Sequence, residues 1–293
     1  MTLMIRLFKI FAIGISLVSC NQSKEIQENS NTVIDLPKKL KEISGLTYIP
    51  EKNTLYAIED SGNKNIVYQL DFKGKIINEI TIEGVENKDW EDITSDEEGN
   101  LYIGDFGNND NTRKDLAIYK VRADEIENNK ITSVEKISFY YPEQIDFPPK
   151  KSKRFYDVEA FILYQNNFYL FTKNRSKNFD GTTLLYKVQN TPNNKAAILI
   201  GSYKTQKDYN NGTVTGAAMN SDETKVVLLG HSKVWLFENF TDANFFNGEK
   251  KVIDLEHYSQ KEGITFKDDA TILIADERVK KSGGKVYQYS LSK

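Results

Sequence analysis

From residue 32 onward, short apolar-patterned runs alternate with turns rich in Gly, Asn and Asp, and no long stretch carries a helical period. Runs of this length and punctuation predict strands, so the chain reads as all-β. The runs also repeat. A triplet of one polar, one small or acidic and one apolar residue occurs as Ser44-Gly45-Leu46, Glu91-Asp92-Ile93, Glu159-Ala160-Phe161, Thr215-Gly216-Ala217 and Glu262-Gly263-Ile264. Each triplet is followed by a second strand: Leu55–Ile58, Leu101–Ile103, Phe168–Phe171, Val226–Leu229 and Ile272–Ala275. A third comes at Ile66–Leu70, Ala117–Val121, Leu184–Val188, Val234–Phe237 and Lys285–Tyr289. The first four repeats add a fourth strand near residues 75–82, 134–140, 197–203 and 250–256.

Successive triplets lie 47, 68, 56 and 47 residues apart, the range of a four-stranded propeller blade. The fifth repeat runs out of chain after three strands, while Thr32–Leu36 stands unpaired before the first, with Pro37 behind it as befits an edge strand. The pattern therefore predicts a five-bladed β-propeller over residues 32–293, closed by its own N-terminal strand. Six blades, with one hidden in the long second repeat, and a β-sandwich are the alternatives.

In a blade the first and second strands are antiparallel, so the start of one and the end of the other meet on one face of the disc. The starts supply Ser44, Glu91, Glu159, Thr215 and Glu262, with Glu42, Asp89 and Asp157 two residues earlier. The ends supply Glu59, Asp60, Asp105, Lys173, His231, Asp276 and Glu277, with Arg175 on the same rim as Lys173. Carboxylates crowded around one mouth repel, and must either hold protons or share a cation. An oxygen-rich set suits Ca²⁺. Glu91, Glu159 and Glu262 are the first-choice ligands, because they hold one repeat position in three blades. Ser44 and Thr215 hold it in the others and would contribute hydroxyls. The alternative is that these side chains hydrogen-bond backbone between blades and bind nothing. Trp90, beside Glu91, is the aromatic candidate at the rim.

Other features add less. Asp105–Asp110 lacks the terminal glutamate of an EF-hand loop and reads as a turn. The insertion at residues 141–155 carries Lys150, Lys151, Lys153 and Arg154 over the same face, either to grip an anionic ligand or as a solvated loop. There is no Gly-x-Ser-x-Gly elbow, His-Glu-x-x-His or phosphate-cradling glycine loop.

Arg6 and Lys9 precede the apolar run Ile10–Val18, the layout of a secretory signal over residues 1–19 and about half the ~20 residues a membrane-spanning helix needs. Leu17-Val18-Ser19-Cys20 resembles the bacterial lipobox, which makes Cys20 the acylated residue of an envelope lipoprotein. A membrane, the outer membrane first, is the expected location, held by two or more acyl chains. Residues 21–31 are polar but for Ile26 and read as a tether. Cys20 is the single cysteine, so no internal disulfide exists. Without residues 1–19 the chain holds 37 basic and 42 acidic residues, a net charge of −5, which argues against a nucleic-acid partner. Two histidines, His231 and His257, argue against a His/Cys metal site.

Glu42–Leu46 with Leu55–Asp60, Asp89–Ile93 with Asn100–Asp105, and Glu262–Ile264 with Ile274–Glu277 resemble the SdiA-regulated family of exported propellers and the related esterase-like phytases. The resemblance implies an axial site, often with calcium, and for the phytase-like branch a phosphoesterase. Asp92 departs from the glycine that this branch favours, and a full set of phosphate contacts is not matched. The expected function is a monomeric module that binds a small molecule or protein at the envelope. The alternative is a metal-dependent hydrolase of phosphate esters or lactones.

Overall fold

A computed structural model describes residues 32–291; the leader, Cys20 and the tether lie outside the described residues. Among the described residues no helix is long and apolar enough to cross a membrane.

The chain begins at β1 (Thr32–Asp35) and enters blade one as β2 (Ile43–Ile49), β3 (Thr54–Glu59), β4 (Ile66–Leu70) and β5 (Ile76–Ile82). Blade two is β6 (Trp90–Ser95), β7 (Leu101–Asp105) and β8 (Ala117–Val121). After the short β9 (Lys130–Ile131) it ends in β10 (Glu135–Tyr140). Blade three is β11 (Asp157–Tyr164), β12 (Asn167–Lys173) and β13 (Thr182–Gln189). After the short β14 (Lys195–Ala196) it ends in β15 (Ile198–Lys204). Blade four is β16 (Gly216–Met219), β17 (Lys225–Leu229), β18 (Lys233–Glu238) and β19 (Glu249–Asp254). Blade five is β20 (Lys261–Asp268), β21 (Thr271–Asp276) and β22 (Lys285–Ser290).

The innermost strands β2, β6, β11, β16 and β20 touch in sequence and close on themselves, which makes the five sheets a ring. β1 pairs antiparallel with β22, with Ile34 opposite Val286, and completes blade five as expected. Two details were not expected. β9 adds in parallel to β5, and β14 to β10, so blades one and two each gain a two-residue fifth strand from the chain of the following blade. The long second repeat hides no sixth blade; its extra length lies in connections.

Alternation along each strand sends apolar side chains to both blade faces, because successive residues point to opposite sides. One buried cluster fills each junction. Ile58, Trp90 and Ile103 pack between blades one and two; Phe106, Phe161 and Phe168 between two and three; Tyr169, Trp235 and Phe245 between three and four. Leu229, Ile264 and Ile274 fill the fourth junction, and Ile34, Leu46 and Leu273 the closing one.

Candidate functional site

The repeated triplet has a structural meaning that the sequence did not show. Ile43 pairs with Glu59 and Gly45 with Ile58, leaving Ser44 as an extra residue on its strand. Glu91, Glu159 and Glu262 are extra in the same way between β6 and β7, β11 and β12, and β20 and β21. Four of the five triplets thus open on a β-bulge, a device that re-aims a side chain. The fifth residue, Thr215, precedes β16 and donates its backbone N–H to Leu229 (2.9 Å). The small residue that follows is dictated by crowding at the axis. A Cβ on Gly45 would lie 2.7 Å from the Ile93 nitrogen, and one on Gly263 would lie 2.8 Å from the Leu46 Cβ.

The five bulge-position side chains then divide by chemistry. The Ser44 hydroxyl donates to the Trp90 carbonyl (2.7 Å) and the Thr215 hydroxyl to the Lys261 carbonyl (2.6 Å). Both hydroxyls tie one blade to the next. The glutamates stand in the mouth with the neighbouring acids. Oxygens of Asp60, Asp89 and Glu91 lie within 4.8 Å of one another, as do those of Glu91, Asp157 and Glu159. Glu91 is common to both groups and Glu262 stands outside them.

Compensation separates the two groups. Glu159 receives Lys173 Nζ and Arg175 Nη2, each at 2.7 Å, and Asp157 receives Arg175 Nε at 2.5 Å and the Asn108 backbone N–H at 2.7 Å. Burial raises the Glu159 carboxyl, but Lys173 and Arg175 outweigh it and hold the group below its ordinary range. Asp157 is pushed up to about 7 by burial and by the charge on Glu159. Asp60, Asp89 and Glu91 have no cation in contact among the described residues. Burial, then the charge on Asp60, raises Asp89 to about 6. Glu91 goes well above its ordinary value through burial and the charge on Glu159. Asp60 also rises, chiefly by burial and with a further push from the charge on Glu159.

Oxygens alone form this set, as a hard divalent cation prefers. Room for it depends on Gly107. A Cβ there would fall 2.1 Å from Glu91 Oε1 and 2.5 Å from Asp89 Oδ2, so any larger residue would displace both carboxylates. The donor set fits a cation on the evidence of its own chemistry and its tight cradle.

Across the mouth, burial raises Glu262 well above its ordinary value while Lys173 opposes it. Burial, then Asp60 and Glu42, raises Glu277 to about 7. His231 is lowered to about 4 by burial and by Lys173, so its ring is neutral at physiological pH; its Nδ1 is buried without a hydrogen-bond partner.

Several rim candidates hold other posts. Trp90 is a correction: its side chain is fully buried in the junction of blades one and two. It packs there against Ile58 and Ile103, while the bulge turns Glu91 to the mouth. Glu59 accepts the Lys41 N–H (2.9 Å), and Glu42 accepts from Asn63 (2.8 Å). Asp105 pairs with Arg113 (2.8 Å), and Asp276 accepts from Lys285 N (2.9 Å) and Tyr287 Oη (3.0 Å). These four side chains are engaged in holding loops and strands together.

Three residues escaped the sequence reading. Gly107 and Arg113 lie in a long connection with no repeat to align them. Lys261 was findable, because it occupies the column held by Ile43, Trp90, Val158 and Val214 in the other blades. Fully buried, it donates to the carbonyls of His231 (3.1 Å) and His257 (3.0 Å) and to Ser259 Oγ (2.8 Å). Burial lowers it to about 8.

A cavity of about 940 Å³ opens on the opposite face, among the far ends of the inner strands, with Thr47, Ser95, Tyr102 and Thr265 in its wall. It does not reach the acidic mouth. The layer of Gly45, Asp92 and Gly263 lies between, and Asp92 spans it by accepting the backbone N–H of Ile93 (2.8 Å) and of Phe161 (3.0 Å).

Fold and mouth together define a five-bladed β-propeller with bulge-mounted acids on one face. Residues 23–145, which take in blades one and two, match the SdiA-regulated family model, and the resemblance drawn from the short motifs is borne out over that span. A search among curated proteins finds no match. Among solved structures, the PQQ-bound aldose sugar dehydrogenase of Streptomyces coelicolor is similar at 10% identity, over 88% of this chain and 95% of its own, with a TM-score of 0.49. A luciferin-regenerating enzyme is similar at 16% identity, over 87% of this chain and 74% of its own, with a TM-score of 0.46. Hydrazine synthase of Kuenenia stuttgartiensis is similar at 13% identity, over 84% of this chain and 58% of its own, with a TM-score of 0.40. Likeness at this level says nothing of activity.

Proposed function

We propose that the protein is an envelope lipoprotein, anchored through Cys20, whose propeller binds Ca²⁺ at Asp60, Asp89 and Glu91 and presents the loaded mouth to a small-molecule or protein ligand. The observation that carries the reading is the trio beside Gly107, with no cation in contact among the described residues, set against the pair on blade three that Lys173 and Arg175 engage. A cation would offset the burial and the repulsion that together raise Asp89 and Glu91, so binding would release protons and stabilise the fold. The ligand set differs from the first-choice ring: Glu91 stays, Asp60 and Asp89 join it, and Glu159 serves as the counter-charge of Lys173 and Arg175.

A second reading, a metal-dependent hydrolase of phosphate esters or lactones, draws on Lys173, Arg175 and neutral His231 at the same mouth. Binding is favoured because Lys173 and Arg175, the cations inside the mouth, are already engaged by Glu159 and Asp157 and so are not free to meet an anionic substrate there. Titration calorimetry with Ca²⁺ tests the first reading: binding is expected for wild type and is lost in Glu91→Gln. No heat for wild type, with a melting temperature indifferent to chelator, would end it. Turnover on a phosphoester and lactone panel with Ca²⁺ present, abolished in Glu159→Gln, would move the conclusion to the hydrolase.

A further inference from the structure

The connection between β10 and β11 holds a large apolar side chain in solvent by design. Ile145 is 83% exposed and Phe147 36% exposed, although the segment around them is firmly held. Tyr141 and Pro149 are buried on either side. Gln144 donates its side-chain amide to the Asn111 carbonyl (2.8 Å) and its backbone N–H to Tyr141 (3.1 Å). A short 3₁₀ turn spans Lys151–Lys153, and the carbonyls of Lys151 and Arg154 accept the N–H groups of Lys177 (2.9 Å) and Arg175 (3.0 Å). A loop pinned this closely, with its isoleucine still outside, presents that side chain to something.

Its charge says what. Lys114, Lys150, Lys151, Lys153 and Lys177 are exposed around the tip, and none sits in an ion pair among the described residues. Lys114 lies 4.5 Å from the centre of the Phe147 ring, placing positive charge against the apolar tip itself. Glu143 and Asp146 are the acids of the loop, which leaves the cluster clearly positive on a protein of net negative charge. A small anion would give no reason to expose Ile145. A protein partner would have to offer a pocket for a projecting side chain, whereas a lipid interface receives one without a complementary shape.

We propose that the 142–153 loop is a membrane-docking element that inserts Ile145 into an anionic lipid surface while its lysines bind the headgroups. The proposal does not rest on the axial cation site, and either can fail alone.

The test replaces Ile145→Trp in the full-length chain on phosphatidylglycerol vesicles with brominated acyl chains. Native Trp90 and Trp235 are buried, so quenching reports the loop. The expected result is a blue-shifted emission, quenched at least twofold. It should be lost at high salt and in the Lys150→Gln/Lys151→Gln/Lys153→Gln background, which weakens the contact roughly a hundredfold at about fivefold per lysine. Unchanged melting temperatures establish that the exposed-site variants are folded. Unquenched emission on these vesicles overturns the proposal. So does equal quenching on phosphatidylcholine, which would remove the role of charge, or a shift with polyglutamate but not vesicles, which would assign the loop to an acidic protein.

Discussion

Replacing Asp89→Asn removes one charge from the trio while keeping the size and shape of the side chain. Asp89 is buried and its carboxyl sits at about 6 instead of 3.8, so ionising it in the fold costs about 3 kcal/mol relative to the unfolded chain, at ~1.36 kcal/mol per tenfold change in proton affinity. The sign follows from the direction. A carboxyl raised by folding binds more protons in the native state, so stability falls as pH climbs from about 4 to about 6 and then stays level. In chelator at pH 8 the variant should therefore be more stable than wild type by about 2–3 kcal/mol, or about 5–10 °C in melting temperature for a domain of this size. At pH 4 the advantage should shrink below about 1 kcal/mol, because the native carboxyl then keeps its proton and the unfolded one, close to its own pKa, gains little by losing it. Added Ca²⁺ should reverse the order at pH 8, raising wild type and leaving the variant nearly still. Calorimetric melts at the two pH values, with chelator and with Ca²⁺, supply every number. A variant less stable than wild type at pH 8 in chelator would show that Asp89 is satisfied as an anion, and the argument from repulsion would collapse.

Two further outcomes are expected. Gly107→Ala should keep the fold but weaken Ca²⁺ binding at least tenfold by calorimetry, since its Cβ would overlap Glu91 Oε1 at 2.1 Å; unchanged affinity would put the ion elsewhere. Cys20→Ala should move the protein from the membrane pellet to the soluble fraction of the producing cell, and retention in the pellet would refute the lipid anchor.

Much of the architecture was legible because a propeller writes its period into the chain. Five copies of the triplet and its following strands gave the blade number, and an unpaired run at Thr32–Leu36 against a three-stranded last repeat gave the closure. The two-residue strands β9 and β14 were not legible, since Lys130–Ile131 and Lys195–Ala196 are too short to show alternation and pair only because of where their loops run. At the mouth, repeat position pointed to Glu91 and Glu159 with Asp60, Asp89 and Asp157, whose oxygens lie in two groups that share Glu91. It did not show which acids are neutralised. Arg175 reaches Asp157 and Glu159 from just past a strand end, a matter of side-chain reach that spacing does not encode. Trp90 was misplaced because the bulge at Glu91, which interrupts the alternation there, leaves no mark in the residue pattern.

The pairing of β1 with β22 joins the first described strand to the last. The Arg278 side chain also donates to the Leu36 carbonyl (2.8 Å), and the Tyr48 N–H to Thr265 Oγ1 (3.1 Å), contacts that bridge nearly the whole length of the ring. Contacts so distant in sequence make ring closure slow. During synthesis blades one to four can assemble in order, but the open faces of blades one and four stay bare until the final strands emerge. The ring is therefore latched last, by its two ends, and tension applied to the chain ahead of Thr32 would load that latch before any other strand.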